Sequence, residues 1–173
     1  MEFRFTVPEL IENIPRLHAG DSVLLTGSIL TARDAAHKRL SDMAASGEQL
    51  PVSLENTIIY YCGPTPAKPG DAVGSCGPTT SSRMDQFTPL MLSLGVKATI
   101  GKGARSAEVL EAQKKYGAIY LIATGGVAAL LSIKVRKSEL LAFGDLGPEA
   151  IYRFEVVDFP LIVGADVYGN SVF

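Results

Sequence analysis

The stretch KATIGKGARSAEVLEAQKKYGAIYLIA, residues 97–123, holds the logic of the fold in miniature. Lys97–Ile100 and Ala118–Ala123 are short apolar runs of strand length. Between them, Ser106–Tyr116 reads as a capped helix that Gly117 ends. The same alternation extends outward in both directions. Upstream, Asp21–Thr26 (DSVLLT) predicts a strand. Thr31, followed three residues later by Asp34, has the look of a capping box. It opens a helix over Ala32–Ala45 with Ala36, Leu40, Met43 and Ala44 on one face and Gly47 at its end. Thr57–Tyr61 predicts another strand, and Asp85–Leu94 a helix closed by Gly95. Downstream, Thr124-Gly125-Gly126 reads as a tight turn, Gly126–Val135 as a helix, and Phe154–Val157 and Leu161–Ala165 as strands. Alternating strands and helices argue for an α/β fold, and strand-rich ends add a mixed sheet or a small barrel with flanking helices. With no repeat, low-complexity tract or linker, residues 1–173 are expected to form a single domain.

The bulk composition removes several classes of function. The formal net charge is −2 and the pI about 5.7, without the basic surplus that phosphate neutralisation needs, so nucleic acid is excluded as a partner. No apolar run approaches the roughly 18 to 20 residues that cross a bilayer, and the start lacks the apolar segment of a signal peptide. Cys62 and Cys76 are the only cysteines. Two thiols read as reduced residues of a cytoplasmic protein, and they are too few for an iron–sulfur cluster, which takes about three or four.

The segment Cys62–Ser82 is dense in glycine, proline, serine and threonine, and a loop that long is more often functional than most. It runs into Gly77-Pro78-Thr79-Thr80-Ser81-Ser82-Arg83-Met84-Asp85. Four hydroxyls and a guanidinium at an expected helix start exceed what one cap requires, and they point to an anion site. Arg33 falls in the first turn of its helix, where the dipole disfavours a cation, so an anionic partner is expected: Asp34, another surface acid, or a ligand carboxylate. Gly101-Lys102-Gly103 puts a lysine between two flexible residues after a strand, without the pattern of a phosphate-binding P-loop. His37, one turn beyond Arg33, reads as a hydrogen-bonded structural histidine. Arg33, Arg83 and Lys102 at three element ends are what clamping a small dicarboxylate would require, if the fold brings them together.

These motifs resemble class I fumarate hydratases. The resemblance rests on Thr31-Ala32-Arg33-Asp34-Ala35-Ala36-His37-Lys38, on Cys76 through Asp85, on Ile100-Gly101-Lys102-Gly103 and on Ala123-Thr124-Gly125-Gly126. Asp145-Leu146-Gly147-Pro148-Glu149-Ala150-Ile151 through Phe159-Pro160 completes it. They follow the order of that family's C-terminal domain, which in two-chain forms is a separate β subunit, and the L-tartrate dehydratase β subunit shares them. The resemblance implies a swivelling β/β/α fold and a [4Fe–4S] cluster held by a partner α subunit, with no metal ligands on this chain. It implies substrate-carboxylate contacts at Arg33, Thr79, Arg83 and Lys102, and a proton-handling role at Thr80. The implied reaction is reversible hydration of fumarate to L-malate, at an interface within an α2β2 assembly, with the open iron acting as a Lewis acid. Tartrate is the alternative substrate. Two readings of other kinds stand beside it: a self-sufficient, metal-free enzyme acting on a small acid, and a non-catalytic anion-binding regulatory module.

Overall fold

The computed structural model describes residues 1–123 and 128–173. Seven strands among the described residues form one sheet: β1 (Glu2–Thr6), β2 (Ser22–Thr31), β3 (Thr57–Tyr60), β4 (Val96–Gly101), β5 (Ile119–Ala123), β6 (Val135–Ala142) and β7 (Ile151–Ala165). Among the described residues five α-helices accompany them: α1 (Val7–Asn13), α2 (Asp34–Ala45), α3 (Thr88–Ser93), α4 (Ala107–Tyr116) and α5 (Ala128–Ile133). The strand order is β1-β2-β3-β4-β5-β7-β6, and an added β2–β7 pairing closes β2, β3, β4, β5 and β7 into a five-stranded barrel. The expected mixed sheet, closed into a small barrel with flanking helices, is the architecture found. Strands β1 to β5 run parallel, whereas β7 is antiparallel to β2, β5 and β6.

Period-two alternation divides the strand side chains between two cores. Ile58, Tyr60, Ile100, Leu121, Phe154 and Val163 belong to one apolar cluster, with Cys62 and Cys76 among them. Ile59, Tyr61 and Val96 turn the other way, against Ala36 and Leu40 of α2 and Met91 and Leu92 of α3. Buried on both faces, Thr57–Tyr60 reads as an unbroken β-branched and aromatic run, as parallel strands usually do.

The structure departs from the sequence reading where tertiary pairing overrides local signals. Thr31 is not an N-cap. It is the last residue of β2, paired with Tyr60 and Tyr152, and its Oγ1 accepts from the Tyr152 amide at 3.1 Å. The helix therefore begins at Asp34, with Arg33 in the N-cap place rather than the first turn and without a side-chain cap. The expected Asp85–Leu94 helix shortens to α3, preceded by a 3-10 turn over Ser81–Met84. The two final strands are one long strand, β7, with Asp158 at φ 50 marking an irregularity in its middle. There its pairing with β2 shifts register between Leu25 and Gly27. Within the described residues the expected Gly126–Val135 helix is seen as α5, and Val135 starts β6 instead. The Thr124-Gly125-Gly126 turn lies outside the described residues. Among the described residues no helix is long and apolar enough to cross a membrane.

Candidate functional site

Parallel strands deliver their following loops to one end of the sheet, and in α/β folds ligands bind beyond those carboxyl ends. Here Arg33 follows β2, the Cys62–Ser82 loop follows β3, and Lys102 follows β4. Backbone bonds then stitch the three loops together. The Ala32 amide donates to the Tyr60 carbonyl at 3.1 Å, the Thr79 amide to the Tyr61 carbonyl at 2.7 Å, and the Ser81 amide to the Lys102 carbonyl at 2.9 Å. Thr80 and Lys102 pair as an isolated parallel bridge. Thr79, Thr80 and Lys102 are thereby neighbours.

Arg83 is joined to the β2 end through Asp34. Its Nε and Nη2 reach Asp34 Oδ2 at 3.1 and 3.0 Å, while Arg33 Nε stands 3.9 Å from Asp34 Oδ1. Asp34 is thus the anionic partner expected for Arg33, and it serves both arginines. Arg33 Nε and Asp34 Oδ1 are buried and make no hydrogen bond among the described residues, so this ion pair is loose. Gly63 presses on the same arginine: a Cβ there would lie 2.9 Å from Arg33 Cδ and 3.2 Å from Nη1.

The hydroxyl-rich run does not open an α-helix, which corrects the helix-terminus picture of an anion site. The Thr79 and Ser81 amides are already bonded to backbone, and the Ser81 hydroxyl is buried against the Tyr120 hydroxyl at 2.8 Å. What remains to meet a ligand is side chain. Thr80, Arg83 and Lys102 are exposed, Thr79 and Arg33 half-buried. Among the described residues the Thr79 and Thr80 hydroxyls and the Lys102 ammonium have no hydrogen-bond or ion-pair partner. A partly exposed set of two guanidiniums, one ammonium and two hydroxyls, with one carboxylate among them, can hold a small polyanion.

Beneath this cluster lies a polar layer that the sequence reading missed. Arg105 is buried and bonded to Asp85 Oδ1 at 2.7 Å. The Tyr120 hydroxyl, facing Ser81, also donates to the Gly103 carbonyl at 2.7 Å. Gly101 approaches Ser81 so closely that a Cβ would fall 1.9 Å from Ser81 Oγ and 2.8 Å from the Tyr61 ring. An aromatic residue in an apolar strand and an arginine after a glycine loop give no local sign of this arrangement.

His37 is fully buried under Arg33, as the structural reading expected. Its amide and Nδ1 both meet the Arg33 carbonyl, at 3.0 and 2.7 Å, so Nδ1 carries the proton and donates. Nε2 has no partner. The ring lies edge-on to Tyr61 at 5.4 Å. Burial pushes its pKa down to about 4, with the Arg105 charge adding to the fall and the Arg33 carbonyl opposing it. The imidazole is therefore neutral near pH 7.

The two thiols do not suit cluster ligation. Cys62 and Cys76 are free and buried. Burial raises the Cys62 pKa well above the usual thiol range and pushes Cys76 up to about 12, whereas a metal ligand must be thiolate. Among the described residues no group of three or more His, Cys, Asp or Glu side chains could hold a metal ion. The chain's own residues do not fit an iron–sulfur cluster.

A barrel of four parallel strands closed by one antiparallel strand, with cationic loops gathered at the carboxyl ends of the parallel strands, and a match over residues 3–173 to the family described as Fumarase C-terminus, define the class. The chain belongs to that family. Among its relatives is fumarate hydratase 2 of Leishmania major, 37% identical over 175 residues, covering 100% of this chain and 31% of that protein. The anaerobic class I fumarate hydratase of Escherichia coli is 37% identical, over 95% of this chain and 30% of its own. A Methanocaldococcus jannaschii protein named for an L(+)-tartrate dehydratase subunit beta is 42% identical, over 94% of this chain and 86% of its own. The chain thus spans about a third of the fumarate hydratases it matches and most of the archaeal protein.

Proposed function

We propose that this chain is the β subunit of a two-chain hydro-lyase that interconverts fumarate and L-malate, a step of the tricarboxylic acid cycle. In this reading residues 1–173 are one domain that works in the cytoplasm, joined to a larger α subunit in an α2β2 assembly. The α subunit's cysteines hold the [4Fe–4S] cluster that this chain's thiols do not suit. The observation that carries the reading is the gathering of Arg33, Thr79, Thr80, Arg83 and Lys102 at one end of the barrel, with the Lys102 ammonium and the threonine hydroxyls unpartnered among the described residues. Two chains are supported by the archaeal relative named as a subunit.

Each side chain then has a task. Arg33 and Arg83 present forks that match carboxylates in paired bonds, and Lys102 adds a point charge. Thr79 adds a hydroxyl whose direction adapts to the ligand. Holding a dicarboxylate in one orientation removes the entropy cost from the reaction barrier, and the fixed cations stabilise negative charge as it develops. Thr80 holds or passes a proton through its hydroxyl, with Lys102 beside it to favour the deprotonated form. Exposure of Thr80, Arg83 and Lys102 suits a site completed by a partner surface.

The test is fumarate hydration under anaerobic conditions by the chain alone and by the chain mixed with its cluster-loaded α subunit. Activity only in the mixture, falling about 100-fold or more with Arg83→Ala as paired ionic bonds are lost, supports the reading. Turnover by the chain alone overturns it. The archaeal relative favours a second reading, L-tartrate dehydration. Turnover of tartrate and silence with fumarate would keep the clamps and change the substrate.

A further inference from the structure

Arg105 lies outside every motif that marks the site, yet its side chain is only 1% exposed. Four guanidinium bonds are made. Nε donates to Asp85 Oδ1 at 2.7 Å and Nη1 to Thr99 Oγ1 at 3.0 Å. Nη2 donates to Thr88 Oγ1 at 2.7 Å and to the Tyr61 hydroxyl at 3.2 Å. The Tyr61 and Tyr120 rings stand 5.2 and 4.9 Å from its central carbon.

What these partners touch is the telling point. The Tyr61 carbonyl receives the Thr79 amide. The Tyr120 hydroxyl meets Ser81 Oγ and donates to Gly103, the residue after Lys102. Asp85 stands two residues past Arg83, and its second oxygen receives the Ser106 amide at 2.9 Å. One guanidinium therefore reaches, through a single further residue each, the Thr79–Arg83 run and the Lys102 loop. As a stabiliser alone a buried ion pair is a poor device, because desolvation cancels much of its attraction. What a rigid planar fork supplies is fixed geometry.

We infer that Arg105 is the positioning residue of the site, a buried fork that holds the Thr79–Arg83 run and the Lys102 loop in register so that their side chains face one ligand. This rests on the proposed clamp role of those side chains.

The test compares wild type, Arg105→Lys and the milder Thr99→Val in the full chain. Lysine keeps a charge for Asp85 but cannot fork to Thr99, Thr88 and Tyr61. Valine keeps the shape of Thr99 and removes one acceptor. Amide hydrogen exchange is read residue by residue, and the dissociation constant for succinate, a non-reacting dicarboxylate, by NMR titration. Exchange at the Thr79 and Ser81 amides is expected to speed at least ~10-fold in Arg105→Lys, and less in Thr99→Val, with the amides of α2 unchanged. Succinate binding is expected to weaken by at least ~10-fold, since small misplacements of clamping groups are costly. In the assembled enzyme kcat/KM for fumarate falls with them. Exchange that speeds uniformly along the chain, or stays as in wild type, overturns the inference. If Arg105→Lys does not fold, Thr99→Val decides by the same local pattern. Should wild type neither bind succinate nor support turnover, the clamp reading fails, while the exchange pattern still decides whether Arg105 orders the loops.

Discussion

Lowering the pH should destabilise this protein through His37 before its carboxylates titrate. The imidazole has an ordinary pKa of 6.5 in the unfolded chain and about 4 in the fold, where burial opposes its charge. The unfolded state therefore binds more protons between those values, so stability falls as pH drops through that window. The stabilisation is fully present above the unfolded pKa and lost progressively below it. A gap of this size, at 1.36 kcal/mol per unit, amounts to about 3 kcal/mol in total. About 2 kcal/mol of it is gone by about pH 5, which is a large part of an ordinary domain's stability.

Urea unfolding at a series of pH values between about 7.5 and 5 reads this directly, set against His37→Asn. The asparagine Nδ2 stands where Nδ1 donates to the Arg33 carbonyl, but it does not titrate. The variant loses stability at neutral pH from the space left beneath Tyr61 and Phe87, and should then stay nearly flat while wild type declines toward it. Parallel declines of the two proteins would refute the reasoning, because the acid sensitivity would then belong to other groups.

Gly63→Ala should lower the unfolding midpoint modestly, because the new Cβ would lie 2.9 Å from Arg33 Cδ and 3.3 Å from the Pro148 carbonyl, so that Arg33 must shift. It should weaken succinate binding by about 10-fold, the scale of a displaced charge-assisted contact, in the same NMR titration. Unaltered affinity would separate Arg33 from the site. Asp166 is buried and accepts from the amides of Ala19, Tyr168 and Asn170 and from the Asn170 side chain. Asp166→Ala should cost about 3 kcal/mol, from several donors left unpaired, and hasten proteolysis of the C-terminal turn; an unchanged urea midpoint would contradict this.

The strand–helix alternation was legible because residues 97–123 carry local signals that agree with their tertiary setting: a serine cap whose hydroxyl accepts from Val109, a glycine stop at φ 65, and apolar strands on either side. The elements that escaped notice carry their reasons elsewhere. β6, Val-Arg-Lys-Ser-Glu-Leu-Leu-Ala, is a charged run with exposed positions, and it is a strand because β7 offers it an edge. β1 and α1 have a true capping box at Thr6 and Glu9, but β1 carries its alternation, Phe3 and Phe5, over only five residues and depends on pairing with β2. Thr31 shows the reverse error, a good cap sequence taken into a strand because Tyr60 and Tyr152 stand on either side of it.

The site divides in the same way, and the division says which residues a sequence can reveal. Arg33, Arg83 and Lys102 stood out because charged residues at the ends of apolar elements need an explanation, and a ligand is one. Arg105 needed none in the sequence, since an arginine after a glycine loop is ordinarily solvated. Only the closed barrel brings Tyr61 from β3's end and Tyr120 from β5 within 5.2 and 4.9 Å of its central carbon, with Asp85 at its Nε. Groups that would face a ligand are thus written in local pattern, while the group that aims them is defined by contacts far apart in the chain. A substitution at Arg105 would leave every recognisable motif intact and still move the proposed clamps.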